Sequence, residues 1–263
     1  MYRHLAGSAI LTFLITTSTH GATPMQIDTL QIQTEPLVPA ASLQSTDAWV
    51  ASGDAALTTA GGRIRLSAGA EGMAWTRQAV DGRILVRCRL RLDRTRPDAV
   101  ARLAFCASQP DGTPLPGGEL QCYAVELTGG SGGAAADTPG HVRLLQLPGP
   151  PVVDENPAVT VPDGREVDLA VLKSGNRVKV FLDGAPVLDW WIYGEPGYNE
   201  PVLDAGQLGV HASGCRVDIT RFEVLRVTSW TLADIEQLKD LHLETDLTEA
   251  VLVPGTGPGP SGP

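Results

Sequence analysis

Lysine and aromatic residues are scarce in this sequence, and it has no excess of positive charge. Three lysines stand beside 17 arginines, aromatic residues make up 5% of the chain, and 30 acidic residues give a formal net charge of −10. A nucleic-acid-binding domain needs clustered basic side chains that neutralise phosphates, so nucleic acid is excluded as a partner. The sequence is instead rich in glycine (29) and proline (20). This content favours many turns between short strands, as in an all-β sandwich.

The first 22 residues are typical of a signal peptide. A short basic start at Arg3 and His4 precedes the apolar stretch Leu5–Thr17, and small residues follow. This stretch is shorter than the ~20 residues that cross a bilayer, and no later stretch is long and apolar enough to do so. We therefore expect a secreted or periplasmic protein whose mature chain begins near Thr23 and has no integral membrane segment.

All four cysteines lie in the exported part, and an even number in an oxidising compartment predicts two disulfides. They are Cys88, Cys106, Cys122 and Cys215. If Val100–Ser108 pairs antiparallel with Leu120–Thr128 so that Ala104 faces Ala124, then Cys106 faces Cys122. Cys88 and Cys215 are then the second pair. The alternative is four buried, reduced cysteines. No CxxC pair or His/Cys cluster predicts a zinc site.

The segment Arg83–Leu92 alternates between two faces, as expected for a strand. Its even-numbered apolar residues face the core, and Arg87 and Arg89 face water or a ligand. Further along, Glu166–Asp189 predicts a three-stranded meander with a turn at Asp183-Gly184.

The last predicted strand, Arg216–Val227, carries a predicted bulge near Thr220 and Arg221. Beyond it, the chemistry of the chain changes. Thr231 is a predicted N-cap, and Leu232, Ile235, Leu238 and Leu241 follow at helical spacing. The predicted acidic helix spans 231–249 and carries six acids and one lysine, and a Gly/Pro-rich tail follows it. This helix either packs on the sandwich or docks a partner.

The run Val167–Trp190 resembles the "strand, K-x-G-N, strand, D/N-G, strand" meander of concanavalin A-like lectin/glucanase domains. Gly206–Ala212 and Asp218–Val224 resemble the strands that close such domains. Over residues 45–228 the chain is similar to the YesU-like group of bacterial proteins and, more distantly, to 3-keto-disaccharide hydrolase-like domains. The resemblance implies a two-sheet jelly roll and a role in polysaccharide utilisation. We expect this sandwich to span 23–228 and the acidic helix and tail to occupy 229–263.

The catalytic strand of the glucanases, E-x-D-x-x-E, is missing. The nearest candidate strand, which begins at Tyr123, offers one acid, Glu126. In such a sandwich the concave sheet holds the ligand, and the expected register places Arg102 opposite Glu126 on a floor of small residues. Such a pair positions a sugar hydroxyl or carboxylate, or forms a plain cross-strand salt bridge. His211 is a candidate proton-transfer group or a structural histidine.

Four aromatic residues gather on one predicted loop, and aromatic faces suit the C–H face of a sugar ring. They are Trp190, Trp191, Tyr193 and Tyr198. We expect Trp190 in the core, and Trp191 and Tyr193 to contact ligand or to close the end of the sandwich. Arg87 and Arg89 belong to an arginine-rich stretch that suits a uronate polymer, although a GC-rich genome explains the arginines equally well.

We therefore expect a carbohydrate-binding or carbohydrate-active domain whose contacts are Arg102, Arg87, Arg89, Tyr123, Trp191 and Tyr193. One alternative is a glycoside hydrolase, or a lyase that uses His211 or Tyr123, with Glu126 or His211 as acid/base. The other is a non-catalytic interaction module. No cofactor is implied, and Asp154-Glu155-Asn156 lacks the ligand spacing of a calcium site.

Overall fold

The computed structural model describes residues 23–27, 30–60, 63–68, 71–108, 120–128, 141–147, 152–159, 161–191 and 202–232. The predicted signal peptide, Tyr193 and the tail beyond Leu232 lie outside these residues. The described part consists almost entirely of antiparallel strands, with one short helix, α1 (Ala40–Leu43), and a 3₁₀ turn at Thr46–Ala48.

The first sheet has nine strands in the described part of the chain, and β17 and β8 are at its centre. Its spatial order is β1-β2-β17-β8-β13-β14-β15, while β5 pairs with β17 and β4 pairs with β5. The strands are β1 (Thr23–Ile27), β2 (Leu30–Val38), β4 (Ala56–Ala60), β5 (Arg63–Ser67), β8 (Ile84–Arg94), β13 (Glu166–Ser174), β14 (Arg177–Leu182), β15 (Ala185–Trp191) and β17 (Cys215–Leu232).

The second sheet has eight strands among the described residues, in the order β12-β11-β10-β9-β16-β6-β3, and β7 pairs with β16. The strands are β3 (Trp49–Gly53), β6 (Glu71–Thr76), β7 (Val80–Asp81), β9 (Val100–Ser108), β10 (Gln121–Thr128), β11 (His141–Leu147), β12 (Val152–Asn156) and β16 (Ala205–Ser213). The two sheets form the predicted sandwich.

The inner faces of both sheets pack into one continuous apolar core. The Trp49 ring meets the Phe222 ring edge-on at 5.2 Å between centroids, and its Nε1 donates to the Leu43 carbonyl. Phe105 packs beside Tyr123 at 5.6 Å. Each such buried aromatic side chain stabilises the fold by about 1.5–3 kcal/mol, so these contacts set which face of every strand points inward.

Local sequence signals predict the meander correctly. Leu182 pairs with Ala185, so Asp183-Gly184 forms a two-residue hairpin loop with φ of 49° and 82°. Both residues therefore occupy the left-handed region that a type I′ turn requires. The bulge predicted near Thr220 and Arg221 is also confirmed, because the register between β17 and β8 shifts there.

The predicted register between β9 and β10 is confirmed, but the predicted disulfide across it is wrong. Ala124 pairs with Ala104 and Glu126 with Arg102, and the register then shifts between Gln121 and Tyr123. Cys106 lies opposite this shift with a φ of 52°. The bulge turns Cys106 into the core between the sheets, whereas Cys122 packs in a separate apolar cluster with Ala104 and Ala124.

The second predicted disulfide is wrong for a different reason. Cys88 pairs with Phe222, whereas Cys215 pairs with Arg94, six residues further along β8. Six residues of strand span roughly 20 Å, far beyond the reach of a disulfide. All four cysteines are buried free thiols.

Strand β17 is longer than the sequence predicts. Thr231 and Leu232 pair with Gln31 and Leu30 of β2, so Thr231 is a strand residue and not a helix N-cap. The rest of the predicted acidic helix lies outside the described residues. In the part of the chain that the structure describes, no helix is long and apolar enough to span a membrane.

The free thiols predict a labelling pattern. Burial raises the pKa of Cys88, Cys106 and Cys122 to about 12 and that of Cys215 to about 11. Buried, protonated thiols do not react, so we expect no maleimide adduct on the folded protein. After denaturation without reductant we expect four adducts by intact mass, and labelling that requires prior reduction would contradict the free-thiol assignment.

Candidate functional site

A row of polar side chains crosses the outer face of the second sheet. Arg143 of β11 pairs with Glu126 of β10, Glu126 with Arg102 of β9, and Arg102 with His211 of β16. Glu155 of β12 pairs with Arg143 and extends the row to the edge of the sheet. Paired residues on neighbouring strands share one face, so these five side chains lie side by side. We call this set the polar row.

Glu126 is the most enclosed carboxylate of the polar row. Arg102 Nε donates to its Oε2 at 2.8 Å, and Arg143 Nη1 lies 3.9 Å from its Oε1. His141, at the start of β11, places Nε2 3.5 Å from the same Oε1. Both oxygens therefore face cationic or hydrogen-bonding neighbours, which offset the cost of burying the charge.

His211 connects the polar row to the next strand. Arg102 Nη1 lies 3.5 Å from Nδ1, and Nε2 lies 3.0 Å from Oε1 of Glu71 on β6. A guanidinium only donates and a carboxylate only accepts, so a neutral imidazole with its proton on Nε2 satisfies both contacts. Burial, together with the neighbouring Arg102 charge, lowers the pKa of His211 below its ordinary value. The histidine is therefore neutral at pH 7.

The small residues beside the polar row do not form an open floor. Ala104 and Ala124 are buried in an apolar cluster on the same face, together with Trp75. Gly209 pairs with both Trp75 and Ala104, and a Cβ built on it would lie 2.4 Å from the Trp75 ring. The predicted floor of small residues is therefore not open to a sugar, because an aromatic ring fills this part of the face.

Tyr123 lies in the core and cannot contact a ligand. Its side chain has no exposed surface, its ring stands 5.9 Å from the Trp190 ring, and its hydroxyl accepts from the Leu203 backbone N–H. Tyr123 and Glu126 occupy opposite faces of β10, since their separation is odd. The prediction that Tyr123 acts as a binding or lyase residue is therefore wrong, whereas Trp190 is partly buried and packs against the core.

Arg87 and Arg89 lie on the other sheet. Arg89 makes a two-point ion pair with Asp168 at 2.9 Å, and Arg87 Nη1 lies 3.8 Å from Glu223. Both arginines point away from the core on β8, on the opposite side of the sandwich from the polar row. They cannot contribute to a ligand site with Arg102, because the core separates the two outer faces.

The aromatic loop begins where the two sheets meet at their edges. Trp191 ends β15, where it pairs with Arg177, and Tyr193 lies outside the described residues. Asn156 Nδ2 donates to the Val187 carbonyl at 3.0 Å, so β15 lies beside β12. The loop therefore starts next to the strand that carries the Glu155 end of the polar row.

Sequence reasoning missed three members of this surface: His141, Arg143 and Glu71. The alternation of β11 was a usable signal, because its odd-numbered residues include His141 and Arg143 on one face. Glu71 had no local signal, since only the sheet order places β6 beside β16.

No cluster of three or more metal-ligating side chains is found among the described residues.

The arrangement is chemically a rigid row of donors and acceptors. Arg143 is held by Glu155 at 3.0 Å, as Arg102 is held by Glu126, and both guanidinium groups stay partly exposed. A guanidinium carries five N–H donors, and these contacts use only part of them. The row can therefore present oriented N–H donors and carboxylate acceptors to a hydroxyl-bearing ligand.

Comparisons with known proteins identify the fold. The sequence matches no protein-family model and no curated protein. The fold aligns with a Bacillus subtilis protein of unknown function with a galectin-like fold, at a TM-score of 0.58 and 16% identity over 74% of this chain and 98% of that one.

Two carbohydrate-recognition domains align as well. The carbohydrate-binding module CBM66 from Bacillus subtilis has a TM-score of 0.50 and 14% identity, over 67% of this chain and 94% of its own. The potassium-bound carbohydrate recognition domain of Emp46p has a TM-score of 0.51 and 10% identity, over 72% and 92%. At these identities the comparison establishes that the chain has a lectin-type two-sheet sandwich.

The lowered pKa of His211 predicts a pH-dependent stability. Below about pH 6.5 the unfolded chain binds a proton at this histidine, whereas the folded chain binds it less readily. The neutral histidine therefore makes its full contribution to the free energy of unfolding above that pH, and this contribution is lost as the pH falls. Urea unfolding at about pH 7.5 and about pH 5.5 should show a larger loss of unfolding free energy in the wild type than in His211→Gln. Equal losses in both proteins would contradict this.

The two acids of the polar row, Glu126 and Glu155, should differ in their contribution to stability. The Glu126 side chain is 9% exposed and that of Glu155 is 49% exposed. We expect Glu126→Gln to lower the unfolding free energy by about 2 kcal/mol, because it leaves a half-buried Arg102 without its charged acceptor. The matched Glu155→Gln should cost under ~1 kcal/mol, as for a surface pair. Denaturant unfolding measures both, and equal costs would refute the burial argument.

Proposed function

We propose that the protein binds a carbohydrate on the outer face of its second sheet, with the polar row as the recognition surface. The observation that carries this proposal is the continuous chain of contacts from Glu155 through Arg143, Glu126 and Arg102 to His211. Sugar hydroxyls both donate and accept, and the row offers both kinds of group. Because each guanidinium is already held by a carboxylate, little side-chain freedom is lost on binding.

The charge balance of this surface favours a neutral sugar over a uronate. Arg102 and Arg143 supply two positive charges, whereas Glu126, Glu155 and Glu71 supply three negative ones, and His211 is neutral. A uronate carboxylate would have to compete with the carboxylates that already hold both arginines. Hydroxyl groups meet no such competition.

The structural neighbours support carbohydrate recognition in general. One is a carbohydrate-binding module and another a carbohydrate recognition domain. Because a fold alone does not fix a function, the argument rests on the polar row, and the neighbours agree with it.

Binding fits this surface better than hydrolysis or elimination. A general acid must release its proton to the substrate, but both oxygens of Glu126 are turned to Arg102, Arg143 and His141. His211 likewise has both ring nitrogens engaged, by Arg102 and Glu71. Each group acts as a positioning partner for an arginine in this arrangement.

The proposal also includes the aromatic loop and an exported location. Trp191 and Tyr193 would extend the site beyond the Glu155 end of the polar row, where β15 adjoins β12. The basic and apolar pattern of residues 1–22 supports export, and the resemblance of residues 45–228 to the YesU-like group supports a role in polysaccharide utilisation.

A glycan array that carries neutral polysaccharide fragments and uronates tests the proposal. We expect binding to neutral glycans, and Arg102→Ala should weaken it at least about ten-fold, or 1.4 kcal/mol, by removing the central donor. Trp191→Ala on the same array measures the contribution of the aromatic loop.

The matched control is Arg89→Ala, which breaks a similar arginine–carboxylate pair on the opposite face. Its binding should equal that of the wild type, while unfolding curves show that both variants fold. Loss of binding in both variants, or none in Arg102→Ala, would remove the polar row as the site. A wild type that binds no glycan would overturn the proposed function.

A further inference from the structure

The outer face of the first sheet carries a contiguous apolar patch that is fully buried. Its members are Ile32, Leu85, Leu172, Phe181 and Val227, and we call them the outer patch. Leu85 pairs with Leu172, and the next row on the same face holds Phe181. Both Leu85 and Phe181 are 0% exposed. An apolar surface of this kind, on the side of a sheet that faces away from the core, has to be covered.

No described element covers the outer patch. Every described strand belongs to one of the two sheets, and the second sheet packs on the opposite, inner face of the first. The short helix α1 packs through Leu43 into the core between the sheets. The described elements therefore do not account for the burial of the outer patch.

Two basic side chains lie at the β14 side of the outer patch. Arg177 and Lys179 both contact the carboxylate of Asp189, at 2.7 Å and 3.3 Å. Both cationic side chains are buried, although they belong to the outer face of the sheet. The cover therefore encloses charged groups as well as apolar ones.

The β17 side of the outer patch also carries basic side chains. Arg87 and Arg221 both face Glu223, at 3.8 Å and 2.7 Å. Burial and the neighbouring Arg221 charge lower the pKa of Arg87. An acidic cover would place negative charge beside basic side chains on both sides of the outer patch.

The chain leaves the sandwich beside the outer patch. Strand β17 ends at Leu232, and two residues earlier Trp230 pairs with Ile32, a member of the patch. The segment that follows, 233–249, combines acidic residues with apolar residues at helical spacing. Its apolar residues include Ile235, Leu238 and Leu241, and its six acids exceed its one lysine by five charges.

The dimensions also agree. A helix of 17 residues is about 25 Å long. The five strands from β2 to β14 span four spacings of ~4.8 Å, or about 19 Å. One such helix would cross the whole outer patch and carry its acids to the basic groups on both sides.

We propose that the acidic segment 233–249 docks on the outer patch of its own chain, with Ile235, Leu238 and Leu241 against the sheet. Its acids then lie near the basic groups beside Asp189 and Glu223. Because the segment is tethered next to Ile32, its effective concentration at the patch is in the millimolar range or above, which favours docking within one chain over a second copy.

Two substitutions in the full chain test the docking. Leu238→Asp places a charge on the docking face, and Gln237→Asp places the same charge one residue away, off that face. We expect Leu238→Asp to raise the fluorescence of a hydrophobic dye several-fold and to speed amide exchange at Leu172 and Phe181 about ten-fold or more. Gln237→Asp should leave both unchanged, and identical behaviour of the two variants overturns the proposal.

Cross-linking in the full chain identifies the occupant directly. A photo-cross-linking residue in place of Arg87 should attach to residues 233–249 of the same chain. The control position, Arg65, lies on the charged part of the same face, on strand β5 between β17 and β4, and should give no such product. Cross-links between two chains assign the patch to a second copy and overturn the proposal, as do cross-links from Arg87 that reach only other segments.

Discussion

The packing of the two sheets against each other is the constraint on which the rest of the structure depends. Side chains alternate along a strand, so the choice of inward face at one position decides the face of every residue until a bulge intervenes. The contacts of Phe105 with Tyr123 and of Trp49 with Phe222 make that choice in both sheets. The core therefore keeps the two outer faces of the sandwich apart.

On each of the two outer faces, a group of charged side chains lies next to a group of apolar side chains. On the second sheet, the polar row adjoins a cluster closed by the Trp75 ring. On the first sheet, the ion pairs around Arg89 and Asp218 adjoin the outer patch. A surface that binds a sugar keeps its polar part accessible, whereas an apolar part is stable only when it is covered. This difference supports the proposed ligand recognition on one face and the proposed docking on the other.

Much of the local structure could be predicted from the sequence, and particular residues show where prediction failed. The pairing of Arg102 with Glu126 followed from alternation and one turn. The position of Cys106 in the core could not be predicted, because the bulge reverses the face of this one residue and no sequence signal marks the bulge. The prediction of Tyr123 as a ligand contact failed because its large ring is buried beside Phe105 and Trp190, where it stabilises the core.

By itself the sequence determined the all-β class, the meander that turns at Asp183-Gly184, and the register that joins β9 to β10. These features depend on neighbours along the chain, or on strands separated by a single loop. Only the tertiary structure decided that Arg143 and Glu71 belong with His211, and that Arg87 does not. The physical reason is that alternation relates residues within one strand, whereas sheet order is set by the burial of both inner faces at once, which joins strands distant in the chain.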